Sequence, residues 1–131
     1  MEYSLHLKMV MIFAHPKVRA YLLKHGLVYT FRKNHKKTSD GIRLQIGKDW
    51  ATDRRTGNKI ADIYITPMEP VDEDNLTQVL AKYVCQSGFY LSSILGKTDS
   101  AMSAWVTAIK QLNKNKPTQG WIYKVDVLED L

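Results

Sequence analysis

The seven residues from Leu27 to Lys33 read LVYTFRK, and they decide how the chain can fold. β-Branched and aromatic residues fill this stretch, which is typical of a strand. In an extended strand Val28, Thr30 and Arg32 share one face, because successive side chains point to opposite sides. The polar and basic residues that follow, KNHKKTSDG, predict a loop that ends in an Asp-Gly turn.

A short amphipathic helix is predicted immediately before this strand, in AHPKVRAYLLKHG. Pro16 suits the first helical turn, where a missing N–H costs nothing, and Gly26 suits the C-cap. Upstream of the helix, the apolar run that ends at Phe13 predicts a buried strand.

Three later segments alternate between apolar and polar residues and predict further strands. In IRLQIG, Ile42, Leu44 and Ile46 are predicted to face inward, and the following DWATDRRTGNK is predicted to be a long hairpin connection. In IADIYIT, alternate isoleucines point to the core, and Pro67 and Pro70 are predicted to close the strand. The last strand is predicted in GWIYKVDVLEDL.

Two more helices are predicted between these strands. DEDNLTQVLAKYVCQSG begins with acids that favour the positive end of the helix dipole. DSAMSAWVTAIKQLNK has a buried stripe that includes Trp105, Ile109 and Leu112. About five strands and three helices that do not alternate one for one predict a single α+β domain over residues 1–131, with a mixed or antiparallel sheet or a small barrel.

The composition is that of an ordinary globular protein. Of 131 residues, 44% are hydrophobic and 24% are charged, and the apolar runs are much shorter than a membrane span requires. The N-terminal apolar run lacks the cationic flank and cleavage site of a secretory signal, and Cys85 is the only cysteine. We therefore expect a cytoplasmic protein without a disulfide or a membrane anchor, and we expect no metal and no cofactor because the four histidines lack ligand spacing.

Positive charge is concentrated in one part of the chain. Residues 17–59 contain twelve Lys or Arg against three Asp, whereas residues 60–80 contain five acids and no Lys or Arg. Such segregation creates a local potential that attracts polyanions, although a solvated basic face is the alternative. The candidate nucleic-acid-binding residues are Thr30, Arg32, Lys33, Lys36, Lys37, Arg43, Trp50, Arg54, Arg55 and Lys59.

These candidates are given distinct roles. Arg32 and Arg43 are predicted at outward strand positions, so that their guanidinium groups are held in place. The lysines and arginines of the two flanking loops are predicted to meet in one basic groove that neutralises phosphates. Trp50 is a candidate for stacking on a base, although core packing is the commoner fate of a tryptophan.

The order of these segments resembles the ASCH domain, a branch of the PUA-like β-barrel superfamily found in small archaeal, bacterial and viral proteins. The resemblance rests on five segments: LKHG, VYTFRK, SDGIRLQIG, DRRTGNKIADIYIT and, late in the chain, SAWVTAIKQL…PTQGWIYKVDVL. It covers residues 13–128, and it implies a PUA-like barrel that binds RNA in a cleft between barrel and helix. Thr30 and Arg32 match the family's motif and are implied to lie in that cleft.

Some members of the family hydrolyse an acylated cytidine with a lysine three residues before the motif threonine and a downstream glutamate. Leu27 occupies the lysine position in this chain, so the resemblance does not carry the catalytic base. Lys24 and Glu69 are the substitutes that the sequence offers, together with Thr30.

Three functions stay open at this point. The leading one is a nucleic-acid-binding domain, with RNA as the expected partner and a basic groove around the TFRK strand. The others are a hydrolase of a modified nucleoside in the same cleft, and a structural or viral interaction protein that uses the basic face. The choice between RNA, DNA and a free nucleotide, any sequence preference and the oligomeric state are left undecided.

Overall fold

A curled five-stranded sheet and three helices form the described part of the protein, which in this computed structural model comprises residues 10–33, 37–38, 41–42, 44–89, 98–114 and 116–129. The elements in chain order are β1 (Met11–Ile12), α1 (Pro16–His25), β2 (Leu27–Lys33), β3 (Lys37–Thr38), β4 (Gly41–Ile42), β5 (Gly47–Thr52), β6 (Lys59–Asp72), α2 (Leu76–Tyr83), a 3₁₀ turn (Val84–Gln86), α3 (Thr98–Asn113) and β7 (Gln119–Val127). The sheet order is β1-β5-β6-β7-β2, and β3 pairs with β4 as a separate hairpin. Because β1 is parallel to β5 and the other pairs are antiparallel, the sheet is mixed, and the predicted α+β class is confirmed.

Helix α1 begins and ends where the sequence predicts. Pro16 stands in its first turn, and Gly26 closes it with φ 79° and an N–H that donates to the carbonyl of Leu22 at 2.8 Å. Glycine adopts this left-handed conformation without the steric cost that a Cβ atom brings. His15 caps the other end, with Nδ1 accepting from the N–H of Lys17 at 3.3 Å. The helix therefore links β1 to β2 by a well-defined short path.

Strand β6 continues through both prolines that were predicted to close it. Beyond Ile65 its pairing, within the described residues, is with β7 alone, and the ladder has a bulge between Pro67 and Glu69. A strand that is paired on one side can contain proline. On its unpaired edge an N–H would make no ladder bond, so the N–H that proline lacks is not needed there. The prediction was wrong because it treated proline as a strand end rather than as an edge residue.

Strand β5 lies later in the chain than predicted. It occupies residues 47–52, within the segment that was interpreted as a connection, and Ile46 is 67% exposed instead of buried. Gly47 has φ 93°, so the backbone turns just after the alternating IRLQI run and the strand starts afresh. From there Lys48 and Trp50 face outward and Ala51 faces the core.

The core fills the concave side of the sheet and the space under α3. Val28, Ile63, Ile65 and Val125 are at most 1% exposed. The stripe predicted on α3 is confirmed for Trp105 and Ile109, but Leu112 is 48% exposed at the end of the helix. None of the described helices has the length and apolar composition needed to cross a membrane.

We predict that Gly120→Ala destabilises the fold. Gly120 pairs with Lys33 across β7 and β2, and an added Cβ would collide with the carbonyl oxygen of Arg32 and lie 2.5 Å from Cζ of Phe31. Overpacking of this kind costs at least about 1–3 kcal/mol. Urea denaturation should show this loss, whereas the adjacent exposed change Gln119→Ala should leave the midpoint almost unchanged; equal midpoints for the two variants would contradict the packing described here.

Candidate functional site

A cavity of about 550 Å³ lies where β1, the start of α1, β2 and α3 meet. Its size is within the range of small-molecule binding sites. Its walls are mainly apolar and aromatic, and its polar side chains are few. The lining includes Phe13, His15, Thr30, Arg32, Phe89 and Trp105.

Thr30 and Arg32 both line this cavity, as the shared face of β2 predicted. Thr30 is 7% exposed and lies in the register opposite Tyr123. The prediction that Arg32 points outward was wrong, because the face it shares with Val28 and Thr30 is the inner one. Strand β2 therefore turns a cationic side chain toward the interior of the fold.

The Arg32 guanidinium is held in place by two contacts. Nη1 donates a hydrogen bond to the carbonyl of Ile12 at 2.5 Å, and Cζ lies 4.8 Å from the centre of the Phe13 ring. These contacts join β2 to β1, the two outer strands of the sheet, across the seam where the curled sheet does not close. A flat guanidinium over an aromatic ring is a favourable arrangement for an arginine.

The charge of Arg32 is not balanced within the described residues. Nε is buried and has no hydrogen-bond partner, and the ion pairs of the described side chains do not include Arg32. Burial lowers the pKa of Arg32 to about 10, from an ordinary value of 12.5, and the group still carries its proton at neutral pH. A buried cation without a partner is costly, so this position is suited to a ligand that supplies acceptors.

His15 adds a second polar group at the side of the cavity. Because Nδ1 accepts from the N–H of Lys17, the neutral ring carries its proton on Nε2 and presents a donor there. Burial, together with the charge of Lys17, lowers the pKa of His15 and favours this neutral form. The ring packs edge-on against Phe89 with 4.9 Å between the centres. The cavity is therefore rich in donors.

The remaining candidate cations lie outside the cavity lining. Lys33 follows Arg32 at the end of β2, where β2 meets the Gly120 end of β7, and Arg54, Arg55 and Lys59 lie in and after the β5–β6 turn. Within the described residues, Lys33 and Lys59 belong to opposite ends of the β6–β7–β2 ladder. Lys36, Arg43 and the side chain of Lys37 lie outside the described residues. The described candidates thus form an inner pair, Thr30 and Arg32, and an outer set at the β5–β6 hairpin, with Lys33 apart from both at the end of β2. The outer set is Trp50, Arg54, Arg55 and Lys59.

The outer set is partly engaged in local contacts. Lys59 is 3.2 Å from Asp62 and lies 5.2 Å from the centre of the Trp50 ring, and Arg54 is 3.9 Å from Asp53. Trp50 is 38% exposed, so it is not a core residue, but an ammonium group already covers one of its ring faces. Exposed pairs of this kind are weak, and a phosphate can compete for these cations.

The substitutes for a catalytic base do not line the cavity. Lys24 is exposed on α1. Glu69 accepts hydrogen bonds from Tyr83 Oη at 2.5 Å and from Lys82 Nζ at 3.1 Å, and these bonds lower the pKa of Glu69. The described lining residues include no lysine and no carboxylate, and no described cluster of His, Cys, Asp or Glu could hold a metal ion.

Several cavity residues were missed by the sequence analysis. His15 could have been recognised from its place before Pro16, since a polar side chain there can cap the helix. Phe89 has no such signal, because its position depends on how the segment after α2 packs against α1. No family model, curated protein or solved structure matches this chain. The chemistry of the cavity must therefore carry any functional conclusion.

We predict that Arg32→Met does not destabilise the unliganded domain, unlike most changes to buried residues. The lowering of the pKa of Arg32 from 12.5 to about 10 corresponds to about 3 kcal/mol against the charged form in the folded state. At neutral pH the Arg32 side chain is charged in both the folded and the unfolded protein, so replacing it removes the cost of burying the charge. The replacement also removes the hydrogen bond to Ile12, which is worth about 1.5–3 kcal/mol. The free energy of unfolding should stay level or rise by up to about 2 kcal/mol.

Chemical denaturation checks this expectation, with Lys33→Met as the matched control on the same strand. Lys33 is exposed, and its replacement should change the stability by no more than about 0.5 kcal/mol. If Arg32→Met, but not Lys33→Met, lowers the free energy of unfolding by more than about 1 kcal/mol, the guanidinium stabilises the unliganded fold and this prediction is wrong.

Proposed function

We propose that the domain binds single-stranded RNA by taking one base into the cavity between β2 and α3. The observation that carries this proposal is the partly buried Arg32, whose side chain lines the cavity and keeps a buried Nε donor without a partner. A ligand that brings acceptors to this group offsets its cost, because hydrogen bonds to charged groups are about twice as strong as those between neutral groups.

The walls of the cavity favour a base over a phosphate. Phe13, Phe89, Trp105 and Ile109 line it, and these residues would leave a phosphate dianion without hydration on most sides. A base has apolar faces and a polar edge, so it can pack against the aromatic walls and still reach Arg32 and Thr30. Unpaired bases that stack on aromatic side chains are the usual targets of sequence-specific RNA-binding proteins.

The basic surface supplies the phosphate contacts in this proposal. Lys33 adjoins the cavity along β2, and Arg54 and Arg55 are exposed in the β5–β6 turn. A net charge of +6 adds long-range attraction for a polyanion. Phosphate contacts of this kind give affinity without sequence preference, and the cavity contact gives the preference.

The resemblance to the ASCH domain supports the same function. It implies that Thr30 and Arg32 meet RNA in a cleft between barrel and helix, and these two residues line a cavity next to α3. We propose that the curled sheet is a half-open form of the PUA-like barrel, with α1 and α3 beside its seam. The proposal does not depend on this likeness, since the unpaired Nε donor of Arg32 favours a ligand with acceptors in any fold.

Filling the cavity should abolish binding. Ala108 lines the cavity, and Ala104 lies one turn earlier on α3, is equally half-buried and is not part of the lining. We expect Ala108→Phe to weaken the binding of a fluorescein-labelled mixed-sequence 12-nucleotide RNA at least tenfold, because the new ring occupies the place of a base, a contact worth about 1–3 kcal/mol.

The control is Ala104→Phe, which adds the same ring to the same helix outside the cavity. It should bind RNA as the unaltered protein does in fluorescence anisotropy, and both variants should unfold at similar temperatures. If Ala108→Phe binds RNA normally, the base does not enter this cavity.

The phosphate contacts predict a change in salt dependence. Each contact to single-stranded nucleic acid contributes about 0.7 to the slope of log affinity against log salt. The double variant Arg54→Ala/Arg55→Ala should therefore lower the slope by about 1.4 if both arginines contact phosphates. Lys82→Ala, which removes a cation held by Glu69 at 3.1 Å, should leave the slope unchanged. An unaltered slope in the double variant would remove these arginines from the interface.

A further inference from the structure

We infer that Arg32 makes the cavity selective for bases that present two adjacent hydrogen-bond acceptors, which are guanine through O6 and N7 and cytosine through N3 and O2. This inference rests on the proposed RNA binding and names the part of the ligand that the cavity reads. It follows from the fixed position of the guanidinium and from its Nε, which has no acceptor.

The guanidinium has one edge in use and one edge open. Nη1 donates to the carbonyl of Ile12, and Cζ lies 4.8 Å from the centre of the Phe13 ring. The other edge is formed by Nε and Nη2. Nε is buried without a hydrogen-bond partner, and the hydrogen bond of this side chain within the described residues is made by Nη1. A guanidinium edge presents two parallel N–H donors in a rigid plane, which matches two acceptors that lie side by side.

The four bases differ in whether they can meet such an edge. Guanine offers O6 and N7 together, and this pairing with arginine is the commonest specific contact to a base. Cytosine offers N3 and O2 together on its pairing edge. Adenine places an amino group beside N7 and beside N1, and uracil places an N–H between its two carbonyls. Either of these bases would set a donor against a donor and leave a buried N–H unpaired, which is costly.

The other polar groups of the cavity favour no single base. Thr30 has one hydroxyl that can donate or accept, so it can bond to any of the four. His15 presents Nε2–H, another donor, because its Nδ1 accepts from Lys17. The described lining residues include no carboxylate that could accept from the amino group of adenine. Gln111 is exposed at the end of α3, so its amide can exchange partners with water. Discrimination among bases therefore falls mainly on Arg32.

The experiment uses four nine-nucleotide RNAs of uridine in which only the central residue varies among guanosine, cytidine, adenosine and uridine. Affinities are measured by fluorescence anisotropy with the full chain at constant salt. We expect the guanosine or cytidine RNA to bind about 5- to 150-fold more tightly than the adenosine and uridine RNAs, the range that one good paired contact supplies.

Two further measurements assign the preference to the acceptors and to Arg32. Replacing guanosine with 7-deazaguanosine, or cytidine with 3-deazacytidine, removes one acceptor and should reduce the affinity to that of the adenosine RNA. Arg32→Lys keeps the positive charge but has no planar pair of donors, so it should bind the four RNAs with nearly equal affinity. The Ala104→Phe variant serves as the folded control and should retain the preference.

The outcomes separate the inference from the proposed function. If all four RNAs bind equally well to the unaltered protein, the inference is overturned and the proposed RNA binding stands. If the adenosine RNA binds most tightly, the Arg32 guanidinium does not select the base. The inference is then wrong, and the proposed RNA binding still stands. If no RNA binds at low salt, both the inference and the proposed function fail.

Discussion

The geometry of the cavity depends on the bond from Arg32 Nη1 to the carbonyl of Ile12, which fixes the guanidinium at the seam of the sheet. The two outer strands, β1 and β2, do not pair with each other, and within the described residues this side chain makes the hydrogen bond between them. The bond uses Nη1 of the guanidinium and leaves Nε buried without an acceptor. The seam thus contains a guanidinium whose hydrogen bonding is only half satisfied, and an unsatisfied buried donor in a folded protein calls for an explanation.

The sequence predicted the elements better than the direction of key side chains. The alternation of LVYTFRK placed Thr30 and Arg32 on one face correctly, because the period of a strand is fixed. It could not say which face was inner, since Phe31 on the opposite face is also buried, at 4% exposed. When a strand is covered on both sides, its sequence shows little contrast between an apolar and a polar face. The charge of a residue such as Arg32 then does not indicate which face is exposed.

The errors elsewhere have similar causes. Gly47 and the prolines of β6 act through backbone geometry, and their effect depends on which neighbour pairs with each strand edge. The grouping of the surface cations in one groove stays a prediction, because Lys36, Arg43 and the side chain of Lys37 lie outside the described residues. Within the described residues the strand order brings Lys33 and Lys59 to different ends of one ladder. Charge counts are properties of a segment, whereas a groove is a property of the topology.

The exposed end of α3 determines how a molecule reaches the interior. Leu112 lines the cavity and is 48% exposed, and His15, on the far wall, is exposed as well. The lining is therefore exposed to solvent at these two residues, while the bond from Arg32 to Ile12 joins β1 and β2. Under the proposed function, a polynucleotide would reach the cavity beside these exposed residues with its sugar and phosphate in solvent. A base within a continuous strand could then be bound without a free end passing through the protein.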